Sequence, residues 1–137
     1  MKKKKLTVWK LIKKLDTIFS RYIRLKYSDK NWIWTCISCW KKQHWKQMHN
    51  AHWISRWKMM TRFDENNCRP ACVWCNSFRP EFHIREFTIY QIKRLWQKKV
   101  DEMINNSYKL RRFKTYELEE LIEHYKQGVK QLEEKKV

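Results

Sequence analysis

Two Cys-x-x-Cys pairs, Cys36-Ile-Ser-Cys39 and Cys72-Val-Trp-Cys75, constrain this chain more than any other feature. A Cys-x-x-Cys turn sets two sulfurs on one side of a knuckle, and two such turns complete a tetrahedral site for Zn(II) at about 2.3 Å per bond. Cys36, Cys39, Cys72 and Cys75 are therefore the expected ligands of a structural zinc, with a redox pair or an iron–sulfur cluster as the alternatives. Four sulfurs leave no open coordination position, so such a metal holds the fold and does no chemistry. The fifth cysteine, Cys68, reads as a small packing residue or at most a substitute ligand. Thiolates of this kind belong to a reducing compartment.

A staple matters in a chain of 137 residues, whose hydrophobic core can only be modest. A single Gly and two Pro argue for helices over many tight β-turns. The formal charge of +18 exceeds any need of solubility and points to a polyanionic partner, with DNA or RNA as the default. A basic membrane-surface protein is the competitor, but the charge is spread along the whole chain and not gathered on one amphipathic helix. No apolar run approaches a bilayer span, and the Lys2–Lys5 run leads into an amphipathic pattern without a signal-type apolar block. A soluble intracellular protein without membrane association is expected.

The expected fold is α+β and mostly helical, with a basic N-terminal helix in 1–30, a zinc-stapled core in 31–80 and a helical region in 81–137. Val8, Ile12, Leu15, Phe19 and Tyr22, widened by Leu11, Ile18 and Ile23, form an apolar stripe. Lys10, Lys13, Lys14, Arg21 and Arg24 occupy the other face, either as solvated charge or in contact with phosphate. From Trp32 to about Trp57 short aromatic runs suggest short strands and a knuckle. No acidic side chain lies between Asp29 and Asp64, which makes this the stretch best suited to meet phosphate. A long helix is expected from soon after Pro80 to the Asn105-Asn106-Ser107 cluster. After a basic linker, a last helix begins at Thr115 as N-cap, with Leu118, Ile122, Tyr125, Val129 and Leu132 as its stripe. That helix either docks on the core or pairs with a second copy. Docking is favoured, because the stripe is short for a coiled coil and Gly128 weakens it.

If the metal is only a staple, the region it pins should carry the function. His44, His49 and His52 lie between the pairs, Asn66 and Asn67 follow, and Asn76 stands directly after the last cysteine. His52 sits in the apolar, aromatic run AHWISRW that would fix its position. Such an imidazole can deprotonate water for attack on a phosphodiester, while a hard cation held partly by an Asn carbonyl neutralises the charge on phosphate. The plain alternative is that the histidines support the fold and that Asn67 and Asn76 cap turns.

FSRYIR, then CxxC, AHWISR, TRFDENNC and CxxCN, in that order, resemble the NinG/Rap recombination proteins of lambdoid phages, from about Phe19 to about Met103. That family belongs to the HNH, or ββα-metal, endonuclease superfamily, and the arrangement is similar to that of T4 endonuclease VII. The resemblance implies a small ββα-metal core stapled by zinc between long terminal helices. It implies His52 as general base, Asn67 as the amide that orients the histidine and its loop, and Asn76 as a ligand of catalytic Mg(II) or Mn(II). It also implies cleavage of branched DNA such as Holliday junctions and D-loops during phage recombination, in the host cytoplasm. The chain departs from the pattern where relatives carry an Asp three residues before the catalytic histidine, since His49 stands there. Ala51 likewise replaces a Gly. Without that carboxylate, His49 or Asp64 would have to complete the metal site, or Asn76 and the substrate phosphate would hold the ion with water. A nitrogen ligand favours Mn(II).

Six of the nine tryptophans, Trp32, Trp34, Trp40, Trp45, Trp53 and Trp57, lie among lysines and arginines. Most should fill the core, leaving one or two for stacking on unpaired bases. The leading expectation is thus a metal-dependent, structure-selective DNA endonuclease acting on branched or double-stranded DNA. A homodimer is expected, because resolving a junction takes two cuts. A non-catalytic zinc module that binds DNA or RNA is the alternative, and an assembly protein with incidental charge is the third.

Overall fold

The computed structural model describes residues 2–136, so that Met1 and Val137 of the first and last expected regions lie outside the described residues. Helix α1 (Val8–Tyr27) starts where the Thr7 hydroxyl accepts from the Lys10 amide. It stops where the Ser28 hydroxyl donates to the Leu25 carbonyl. Leu11, Ile12, Leu15, Phe19, Ile23 and Leu25 are its buried face, whereas Val8, counted in the stripe from sequence, is exposed. Strands β1 (Ile33–Thr35) and β2 (Lys42–His44) pair antiparallel around the first cysteine pair. Strand β3 (Met48–His52) and, after the one-turn helix α2 (Met59–Arg62), strand β4 (Cys68–Cys72) form a second antiparallel sheet, with His52 opposite Cys68.

A π-helical turn (Trp74–Phe78) then leads into helix α3 (Pro80–Ser107), and helix α4 (Thr115–Lys135) closes the described chain. Two expectations need correction. The N-cap of α4 is Lys114 and not Thr115, because the Lys114 amide is held by the Glu117 carboxylate at 2.9 Å. Helix α3 is also broken at Trp96, whose φ of 69° lies in the left-handed region. The break lets Phe87 before it and Val100 and Met103 after it reach one core with the knuckle residues Cys36, Cys72 and Cys75. Left-handed backbone occurs only at Trp32, Trp40 and Trp96 among the described residues, so the turns at Trp32 and Trp40 use tryptophan where glycine is usual.

The second core joins the two ends of the chain. Phe19 packs edge-on against Tyr125 with ring centroids 5.0 Å apart, and Arg21 pairs with Glu133. The Lys136 ammonium donates to the Leu25 and Ser28 carbonyls at 2.7 and 2.9 Å, capping the last turn of α1. Helices α1 and α4 therefore lie parallel, C-terminus beside C-terminus. Gly128 sits where a Cβ would come within 2.7 Å of the Tyr22 ring, so the residue that looked like a weakness in α4 is what admits that ring. The apolar stripes of both terminal helices cover each other, which is the docked arrangement.

Trp45 and Trp53 are buried, Trp32 and Trp34 half-buried, and Trp40 and Trp57 exposed. The Trp34 indole donates to the Pro70 carbonyl at 2.7 Å and ties the first sheet to β4. The Trp53 indole donates to the Thr88 hydroxyl at 3.0 Å and ties the end of β3 to α3.

Candidate active site

The knuckles meet as their spacing requires. The Sγ atoms of Cys36, Cys39, Cys72 and Cys75 all lie within 4.8 Å of one another. The Cys75 amide points at Cys72 Sγ at 3.5 Å, an N–H to sulfur contact that stabilises a thiolate. Burial pushes the thiols of Cys72 and Cys75 up, a cost that a bound cation would reverse. The donor set and its closeness suit a four-coordinate metal ion. Cys68 takes no part: it is fully buried in the α1–α4 core, and burial raises its thiol well above the usual range.

Beside β3 a cleft of about 580 Å³ is lined by α1 residues Asp16, Ser20 and Arg24 and by His49, Asn50 and His52 of β3. Lys46, Arg56 and Asn76 complete its polar wall. The hairpin explains how these residues meet. Strand β3 offers His49 and His52, and the turn after β4 returns Asn76 to β3, with Asn76 Nδ2 3.1 Å from His49 Nδ1.

His52 Nε2 is 2.8 Å from the Arg62 carbonyl oxygen. A carbonyl only accepts, so Nε2 carries the hydrogen and Nδ1 keeps its lone pair. Burial pushes the imidazole below its ordinary value, outweighing the pull of the Arg62 carbonyl and Asp16 in the other direction. His52 is thus neutral at neutral pH, with one nitrogen free to take a proton.

Asn67 is completely buried and does not line the cleft. Its Oδ1 accepts from the Ile54 amide at 2.7 Å, and its Nδ2 donates to the carbonyls of Ile54 and Thr61 at 3.0 and 3.1 Å. It clamps both ends of the loop that follows His52. Asp64, a candidate ligand from sequence, is not brought to the cleft. Its carboxylate accepts from the Asn66 amide at 2.9 Å and starts a short 3₁₀ turn at Glu65–Asn67.

The carboxylate that does reach the cleft is Asp16. It holds the buried Arg62 guanidinium through two hydrogen bonds, 2.9 Å to Nε and 2.5 Å to an Nη. The same Arg62 presents its carbonyl to His52 and donates from Nη1 to the Arg56 carbonyl at 3.1 Å. One signal for Asp16 is present in the sequence: it is the sole acid of a basic helix and sits between the core positions Leu15 and Phe19.

No helix among the described residues is long and apolar enough to cross a membrane. In comparison with known families, the model described as bacteriophage lambda NinG protein matches residues 1–135. No curated protein and no solved structure gives a significant match.

Proposed function

The chain belongs to the bacteriophage lambda NinG family, and on that premise we propose that it is a metal-dependent endonuclease of HNH type acting on branched DNA in phage recombination. The observation that carries the reading is the fixed tautomer of His52, a neutral buried imidazole whose free Nδ1 belongs to a cleft rimmed by Arg24, Lys46 and Arg56. These cations suit the phosphates of a strand. The strand, strand and helical-turn sequence of β3, β4 and Trp74–Phe78 supports the ββα-metal likeness.

In this reading a water beside Nδ1 loses its proton to His52 as it attacks phosphorus, and Arg62 keeps the ring from turning away. Asn67 acts at one remove by fixing the loop from Trp53 to Thr61. His49 and Asn76 would hold a divalent ion. The nearby Oδ1 of Asn50, buried and without a partner among the described residues, fits a site that expects another polar occupant. When bound, that ion supplies positive charge against the negative charge that builds on the phosphate. Nitrogen and amide donors suit Mn(II) better than Mg(II). The four cysteines would hold Zn(II) as a staple.

The second reading, a zinc module that binds DNA or RNA without cutting, is favoured by one observation. Among the described residues, the single carboxylate at the cleft is engaged by Arg62, and none lining it is left free for a metal. A supercoiled plasmid and a synthetic four-way junction, incubated with Mn(II) or Mg(II), decide between the two. Cleavage by the wild type that disappears in His52→Ala supports the nuclease. Salt-sensitive binding without scission supports the module.

A further inference from the structure

Because Asp16, Ser20 and Arg24 line the cleft, the face of α1 that looks onto it is known. Helical spacing carries that face back through Lys13 to Trp9, so that Trp9 and Arg24 stand about 22 Å apart along one helix. The Trp9 indole is 44% exposed, and Lys13 Nζ lies 5.7 Å from its ring centroid. The Arg62 guanidinium is 5.8 Å from the same ring. Arg62 also reaches the Arg56 carbonyl, and the Arg56 guanidinium lies 5.7 Å from the ring of Trp57, which is 67% exposed. One exposed indole thus lies beside the buried arginine that also positions His52, and the other lies beside Arg56, whose carbonyl that arginine holds.

Neither indole belongs to an apolar core cluster of the described residues. Trp74 and Phe78, also exposed, at least cover each other at 5.5 Å. Trp9 and Trp57 have cations for neighbours instead, an arrangement suited to a flat π-system joined to an anionic chain.

We propose that Trp9 and Trp57 form a stacking site for an unpaired base of the strand whose phosphate lies in the cleft, and that this site selects DNA with unpaired nucleotides. The inference rests on the reading of the cleft as a phosphodiester site. A base inside a duplex is already covered on both faces, so an indole gains little from it. A base at a branch, flap or single strand is free to leave its neighbours. The charges of Lys13, Arg24 and Arg56 then hold the backbone on either side.

The test is binding by zinc-loaded protein without added Mg(II) or Mn(II), so that nothing is cut. The probes are a single-stranded oligonucleotide carrying 2-aminopurine and a blunt duplex of the same sequence. Trp57→Ala should weaken the single strand about tenfold or more and the duplex by less than about twofold, the range expected of one lost base stack. Wild type and Trp57→Phe should quench 2-aminopurine, and Trp57→Ala should not. Equal weakening of both probes, no weakening of either, or unchanged quenching in Trp57→Ala would overturn the stacking site. Loss of the nuclease reading shows separately, as absence of scission with the selective binding intact.

Discussion

His52 Nε2 and the Arg62 carbonyl oxygen are 2.8 Å apart, and this contact places the hydrogen of the neutral ring on Nε2. Because burial lowers the imidazole's proton affinity, the neutral form persists below the ordinary value of 6.5. If His52 is the base of the proposed reaction it must be unprotonated, so the cleavage rate should hold as pH falls from neutrality towards 6.5. It should decline only at lower pH, about tenfold per unit. Rates on a four-way junction measured against pH check this, and an acid limb centred above 6.5 would contradict it. Nitrogen NMR of the ring should show the hydrogen on Nε2.

Asp16 and Arg62 form a pair in which the guanidinium is 2% exposed. Asp16→Ala strands that charge in the interior and should cost about 3–5 kcal/mol. Asp16→Asn keeps one acceptor for the guanidinium and should cost less. Denaturant unfolding of the two variants gives the comparison, and equal losses would mean that burial of the charge is not the cause.

Asn67→Ala removes a donor and an acceptor from the interior, leaving the Ile54 amide and carbonyl without their partners, while the Thr61 carbonyl keeps the Asp64 amide. A loss of about 3 kcal/mol is expected from groups of that kind. Amide exchange should quicken first in the loop between Trp53 and Thr61, since that is the segment Asn67 holds. Uniform quickening over the whole chain would argue against a local clamp.

One zinc per chain should be found by elemental analysis, and a strong chelator should release it with loss of the near-ultraviolet signal of the tryptophans. The cysteines share a core with Met48, Ala51, Phe87 and Met103, so the effect should reach β3 and α3. Cys72→Ser should behave like the chelated protein. Retention of a native spectrum after metal removal would show that the core stands without it.

Gly128→Ala is expected to destabilise by about 1 kcal/mol, a crowding cost larger than the helix propensity gained. The added methyl would lie 2.7 Å from the Tyr22 ring, which is itself held at 4.9 Å from Tyr125. In a Tyr22→Leu background the same change should be neutral or stabilising. Thermal melts of the four proteins complete the cycle.

Much of the frame could be read from residues in order. Apolar spacing of three and four located α1 and α4, Pro80 and the Asn105-Asn106-Ser107 cluster bounded α3, and the two Cys-x-x-Cys pairs named the four sulfurs that meet. The resemblance grouped His52, Asn67 and Asn76 with His49; the hairpin, which returns the end of β4 to the start of β3, brings His49, His52 and Asn76 to one cleft, whereas Asn67 is buried behind it. What could not be read depends on contacts between distant segments. Asp16 is a polar residue on a basic helix and looks like surface until Arg62 is seen to be buried against it. Asp64 looked like a metal ligand because it is an acid near the site in sequence, but backbone geometry claims it as a cap. The break at Trp96 has no local cue, because neither Gly nor Pro stands there; it shows only in the structure, where Phe87 before it and Met103 after it share one core.

The parallel pairing of α1 with α4 bears on how the chain comes into being. Phe19 and Tyr125 lie more than 100 positions apart in sequence yet cover one another, so the apolar side of α1 waits for nearly all that follows. Contacts of such long range form late in folding, and during synthesis the N-terminal partner appears first. The same helix supplies Asp16, Ser20 and Arg24 to the cleft. A growing polypeptide on the ribosome would therefore carry the apolar side of α1 without its Tyr125 cover until α4 has emerged, although every residue that lines the cleft has been made by then.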